Sequence, residues 1–400
     1  MTSRLTWIDH DSQARERSLR ILALFREKES RDELGIGAIR DAIADRLFPG
    51  TSTIQTRLRY MLFVPWIYSS LEKKQVPASR FADEAKRAEI DLVAPLLTAE
   101  DDYGVYGRRA GGGLKRLPSS VYWAGLGTWG IRRFQGSRED YHYSVESLYG
   151  KRSRQRKTHD GEWLEDDGSH SWHPKLPDPP EGYPESADFL LRKGEALFLR
   201  ERLMASCPDS LLAYLVRDPS ADESDFPWLH HRSAEFPEKI KELLYHARLF
   251  SDVIQGAALI YNLALAEQAK RDTLVEDYQA RIKDWATTLP WQEVAQWSLN
   301  NFWDQVKGHG HRITSKTETF VEKWIQLALL HKGQVGHSTD ARALVRAREI
   351  DLKKGRSRFT NKAALNQWSG ASGLAPLAYR WGTAKTFIDD LAAGLGGDHA

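Results

Sequence analysis

The chain has a single cysteine, Cys207, in 400 residues. One thiol excludes an intramolecular disulfide and any multi-cysteine zinc site, which fits a reducing cytoplasm. An excess of either charge is also missing: 57 Lys and Arg face 55 Asp and Glu, for a net charge of +2. Bulk electrostatics therefore do not demand a polyanionic partner, and any nucleic-acid contact must come from a local patch. No apolar run approaches the roughly 20 residues of a membrane helix. The opening MTSRLTWIDHDSQARERS carries no apolar core of a secretory signal. A cytoplasmic chain without a membrane partner is expected. Strand-like alternation is scarce, and no repeat marks a solenoid. The spacings GxxxxGK[ST], HxK-x4-D, GxSxG and HExxH are absent, and no cofactor is expected.

Helical patterning, by contrast, is abundant. Hydrophobic residues make up 41% and charged residues 28%, a globular balance that fills a large core over two domains. The 14 tryptophans predict large, specific helix contacts, because a buried indole N–H needs an acceptor. The densest pattern runs from Gly35 to Tyr68. Ile36, Ile39, Ile43 and Leu47 share one helical face, and Pro49-Gly50 stops that helix. Thr51 or Ser52 then caps a second helix with Ile54, Leu58, Met61 and Leu62 inward. Thr56, Arg59, Tyr60 and Phe63 point the other way, and Pro65 ends or kinks the helix after Val64. Such a pair suits a helix-turn-helix DNA reader. Equally, Arg57 and Arg59 can pair with Asp41 or Asp45 while Tyr60 and Phe63 pack inward.

Further helices are expected over about 11–29, 79–97, 187–204, 209–216 and a long one after Pro237. Others fit 291–306, 317–330, 339–353, 361–368 and 376–393. In SVYWAGLGTWGIRRF the small residues beside aromatics read as a close helix contact. From about 136 to 186 periodicity lapses: KRSRQRKT is basic, and the stretch after it is acidic and then Pro-rich. The expected class is all-α, with an amino-terminal lobe at 1–135, a long loop or linker at 136–186 and a carboxy-terminal lobe at 187–400.

Several constellations could carry chemistry. His159, Asp160, His170 and His173 lie in one loop and offer histidine and carboxylate ligands, although HxxH in a Pro-rich loop is poor scaffolding. Arg154 and His159 match the Arg-x4-His spacing of a helical ribonuclease superfamily, but outside an amphipathic helix. The Gly-rich stretch YGVYGRRAGGGLKRL lacks P-loop spacing. His309-Gly310-His311-Arg312 precedes a helix start and leaves room for an anion. Two basic tracts can position phosphates: Arg152, Arg154, Arg156 and Lys157 in one, Lys353, Lys354, Arg356 and Arg358 in the other. With Arg57, Arg59 and Tyr60 of the opening pair, these form the expected nucleic-acid surface. No metal ligand or catalytic residue is assigned.

RDELGIGAIRDAIADRLFPGTSTIQTRLRYMLFVPWIY, SSVYWAGLGTWGI, GRSRF, NQWSGASG and YRW resemble, over the whole chain, an uncharacterised bacterial family, domain-of-unknown-function family 6361. The resemblance implies antiphage gene neighbourhoods, beside helicases and phospholipase-D-like nucleases. It implies no catalytic residue. The resulting expectation is an accessory, non-catalytic subunit of a DNA-directed defence system, binding DNA or RNA, a protein partner of that system, or both. The alternative is a nuclease-like hydrolase using His159, Asp160, His170 and His173, or Arg154 with His159.

Overall fold

A computed structural model describes residues 32–108, 114, 116–155 and 170–396. Its regular elements are helices, and among the described residues no strand occurs. The all-α class is therefore correct. In chain order the helices are α1 (Gly37–Leu47), α2 (Tyr60–Lys73), α3 (Ala78–Asp91), α4 (Val93–Thr98), α5 (Pro118–Thr128), α6 (Arg138–Gln155), α7 (Lys193–Ser206) and α8 (Leu211–Leu215). They continue as α9 (Glu238–Gln268), α10 (Asp272–Thr288), α11 (Trp291–Gln296), α12 (Leu299–Val306), α13 (Ser315–His331), α14 (Thr339–Lys353), α15 (Lys362–Asn366) and α16 (Trp381–Gly396). The helix expected over 11–29 lies outside the described residues.

Two compact units form, and they interleave in sequence. The first comprises the described residues up to Ile43 with Glu242–Ala378. The second comprises Ala44–Lys241 with the described residues from Tyr379 onward.

In the first unit α13 packs on α14 and α11. Indole N–H groups tie neighbouring segments to α9: Trp324 of α13 donates to the Val253 carbonyl at 2.9 Å, Trp285 of α10 to that of Asp252 at 2.7 Å, and Trp297 to His246 Nδ1 at 2.8 Å. α9 is long and apolar enough to cross a membrane by composition, yet its most apolar window is 83% buried in the protein, as a core helix is.

In the second unit α2 packs on α3 and α5, α3 packs on α6, and α16 packs on α7. Three local expectations need correction here. First, α2 begins at Tyr60, not after Thr51. The intervening backbone is held by side chains instead. Tyr122 Oη accepts from the amides of Thr56 and Arg57, at 2.9 and 3.1 Å, and donates to the Arg57 carbonyl at 2.8 Å. Twelve residues thus part Leu47 from Tyr60, and the pair is not a tight helix-turn-helix. Second, α2 does not end at Pro65, which lies inside it. The helix tolerates the lost N–H because nearly every residue around it is buried, and packing outweighs propensity. Third, α6 occupies the first part of the expected loop. Tyr141, Val145 and Leu148 make its buried stripe, and Ser137 with Asp140 close a reciprocal cap.

Candidate functional site: a basic cleft

Of the seven residues expected to meet nucleic acid whose side chains are described, Arg57, Arg59, Tyr60, Lys353 and Arg358 are engaged within their own unit. Arg59 is 2% and Tyr60 1% exposed, so the outward orientation expected for them is corrected. The Arg59 guanidinium lies between Asp188 and Glu195, bonding Glu195 Oε1 at 2.8 Å. Arg57 is clamped by Asp390, with Nε–Oδ1 at 3.0 Å, and by Asp101 at 2.6 Å. Both arginines are ion-paired, though not to Asp41 or Asp45. The Tyr60 hydroxyl accepts from the Tyr106 amide. In the first unit, Lys353 and Arg358 both pair with buried Glu33 at 3.0 Å, and Arg358 also donates to Tyr261 Oη and Ser372 Oγ. A basic group folded onto an internal carboxylate cannot neutralise a phosphate without losing that partner. Lys354 and Arg356 are exposed. Arg152 and Arg154 lie on the last turn of α6, with side chains outside the described set. Arg156, Lys157, His159 and Asp160 lie outside the described residues.

A different basic site stands open on the second unit. It is a cleft of about 590 Å³ lined by Gly127, Gly130, Arg132, Arg133, Gln135, His173, Pro174 and Arg202. Three segments build it. α5 ends at Thr128, and Gly130 turns the chain with φ of +65°, a region open to glycine at little cost. The chain then runs extended beside residues 171–173. His173 N donates to the Ile131 carbonyl at 2.8 Å, Arg133 N to that of Ser171 at 2.8 Å, and Arg132 and Trp172 form an antiparallel bridge. α7 supplies Arg202 from the other side.

The cations are anchored from behind. Arg132 donates from Nε to the Trp123 carbonyl at 3.2 Å and from Nη1 to the carbonyls of Phe134 and Gly136. Its guanidinium covers the backbone at Gly127, where an added Cβ would come within 2.3 Å of Nη2. Arg202 donates to the Trp129 carbonyl at 3.3 Å and to Ser206 Oγ at 3.3 Å, and its Nη1 sits 2.9 Å from His173 Nε2. Burial lowers the His173 pKa first, and the charges of Arg202 and Arg133 lower it further, so the ring is neutral at pH 7. Among the described residues, no carboxylate lines the cleft. Of the histidines considered for chemistry, His173 therefore sits mainly among cations, with Glu201 opposing them, and His170 is exposed.

A second cluster, Asp222 with His230 and His231, brings three potential ligand atoms within 4.8 Å of one another. Its hydrogen bonds argue for a structural role. Asp222 accepts from Ser224 N and Oγ and from His231 N and Nδ1. Burial raises its pKa, but these donors outweigh it, and the net shift is downward. His230 Nδ1 accepts from the Arg232 amide at 3.0 Å, which places the neutral ring's proton on Nε2, the nitrogen facing Asp222. A protonated nitrogen is no metal ligand.

Sequence reasoning assigned Trp123–Phe134 to packing and passed over Arg132 and Arg133. The adjacent arginines after a Gly-containing turn were a visible signal; Arg202, on a distant helix, left none.

Fold and site together define, among the described residues, an all-helical protein with an open cation cleft that has no acid in its lining. The chain belongs to a family of unknown function, DUF6361, whose model matches residues 2–395. No curated protein and no solved structure matches it.

Proposed function

We propose that the chain is a non-catalytic, nucleic-acid-binding protein that takes phosphate groups in the cleft of Arg132, Arg133, His173 and Arg202. The observation that carries this reading is that Arg132, Arg133 and Arg202 line one open cleft, with no carboxylate among its described lining residues, in a protein of nearly balanced charge. Guanidinium groups tied to backbone carbonyls are pre-organised, and little conformational freedom is lost when an oxyanion arrives. The neighbourhood implied by the family resemblance makes the role that of an accessory subunit in bacterial antiphage defence, acting in the cytoplasm with protein partners of the same system. Among the described lining residues there is no acid or hydroxyl beside His173, which favours binding over hydrolysis.

Fluorescence anisotropy with duplex DNA, single-stranded DNA and RNA tests the proposal. Arg133→Glu is expected to weaken binding at least tenfold while leaving the helical circular dichroism spectrum unchanged. Equal affinity of variant and parent would reject the cleft. A folded parent that binds none of the three at low salt would reject direct nucleic-acid binding.

A further inference from the structure

The arrangement at His173 does not close on itself. Its Nδ1 accepts from the Lys175 amide at 3.2 Å, and its Nε2 lies 2.9 Å from Arg202 Nη1. A guanidinium can only donate, and so can an amide N–H. Both ring nitrogens are thus asked to accept, yet a neutral imidazole carries one N–H. One of the two contacts must set a hydrogen against a hydrogen. With the proton on Nε2, the backbone contact is kept, and Arg202 and His173 become two donors facing one space. An oxyanion oxygen at the charge-assisted distance of about 2.8 Å from both nitrogens would accept from each and resolve the conflict.

We infer that the cleft is a receptor for a terminal phosphate, a phosphomonoester at a nucleic-acid end, with Arg202 and His173 sharing one of its oxygens. The inference rests on the nucleic-acid reading above and narrows it. A phosphomonoester carries close to two negative charges at pH 7 and three strong acceptor oxygens. An internal phosphodiester carries one charge and has others on either side along the strand. A protein that tracks a strand spreads its cations along a groove with aromatic platforms for the bases. Here the cations are focal: Arg132, Arg133 and Arg202 line one cleft, with no aromatic side chain other than the His173 imidazole among the lining residues. The acid whose charge acts on His173 is Glu201, which itself lies 4.0 Å from Lys175. The two glycines keep the approach open. A Cβ at Gly130 would sit 3.5 Å from Arg202 Nη2 and 3.3 Å from Ser206 Oγ, on the face the phosphate must reach.

The test uses the full chain and one oligonucleotide sequence in three forms: 5′-phosphorylated, 3′-phosphorylated and hydroxyl-ended. Anisotropy is read for the parent, Arg202→Gln and His173→Phe, with inorganic phosphate and sulfate as competitors at matched ionic strength. The expected result is at least tenfold tighter binding of one phosphorylated form. Inorganic phosphate should compete better than sulfate, and the preference should fall to under threefold in both variants. Arg133→Gln should reduce the preference as well, and serves as the second variant if Arg202→Gln proves unstable. Equal binding of all three forms, weakened alike by the variants, would overturn the terminal-phosphate assignment and leave nucleic-acid binding by the cleft standing. A preference that survives every variant would overturn the location. No binding of any form would overturn both readings.

Discussion

Arg59 and Glu89 show how far a charged side chain's role departs from its place in a pattern. Arg59 falls on the polar side of a helical projection, yet its guanidinium is enclosed with Glu195, itself almost fully buried. Removing one partner of a buried pair leaves the other charge without compensation. Arg59→Ala is therefore expected to destabilise the second unit by about 3–5 kcal/mol, read by urea denaturation. Unchanged stability would show that the pair is not closed in solution. Glu89 is 1% exposed; its Oε2 accepts from Ser119 N at 2.7 Å at the start of α5, and its Oε1 has no partner. Burial raises its pKa to about 7 against the ordinary 4.5, with Ser119 and Arg138 opposing. A carboxyl whose folded pKa is raised holds its proton more tightly in the folded state. Stability then declines as pH rises from about 4.5 to about 7, by roughly 3 kcal/mol in total. Glu89→Gln should flatten that decline and stand above the parent at pH 8. Parallel stability curves for the two proteins would refute the assignment.

Elements were legible where an apolar stripe was continuous. The helices over 339–353 and 315–331, and the long one after Pro237, were expected nearly as they occur. α6 was hidden because three apolar residues at helical spacing sat in a polar background, and its Ser137 cap was not weighed. α10, between the long helix and the one at 291, was also passed over. The helix expected from Thr51 failed because Tyr122, distant in sequence, supplies the hydrogen bonds that a helix would have made internally. The close contact expected of the AGLG segment is real: a Cβ on Gly125 would meet the Gly50 carbonyl oxygen at 2.3 Å and Met61 Cε at 2.8 Å. Trp129 Nε1, one turn on, donates to the Pro49 carbonyl at 2.9 Å. Gly125→Ala should cost about 1–3 kcal/mol through forced separation, although alanine is the better helix former. A higher melting temperature for Gly125→Ala would contradict the packing described.

At the scale of the whole molecule, class was readable and organisation was not. Helical period appears in any stretch of sequence, whereas interleaved units require knowing that residues near Glu33 return to Lys353 and Arg358. The cleft has the same character. Residues 127–135 and 171–174 meet through backbone pairing, and Arg202 arrives from α7; no window of sequence contains all three. The basic tracts drew attention because they are contiguous, yet contiguity is not convergence. The central claim is that a focal cleft, and not a diffuse charge, binds nucleic acid. The salt dependence of affinity for single-stranded DNA tests it most directly, since each neutralised phosphate contributes about −0.7 to the slope of log K against log salt. The account predicts a shallow slope, about −2 or smaller in magnitude, that moves toward zero when Arg133 and Arg202 are both changed to Gln. A steep slope left unchanged by that double substitution would contradict it.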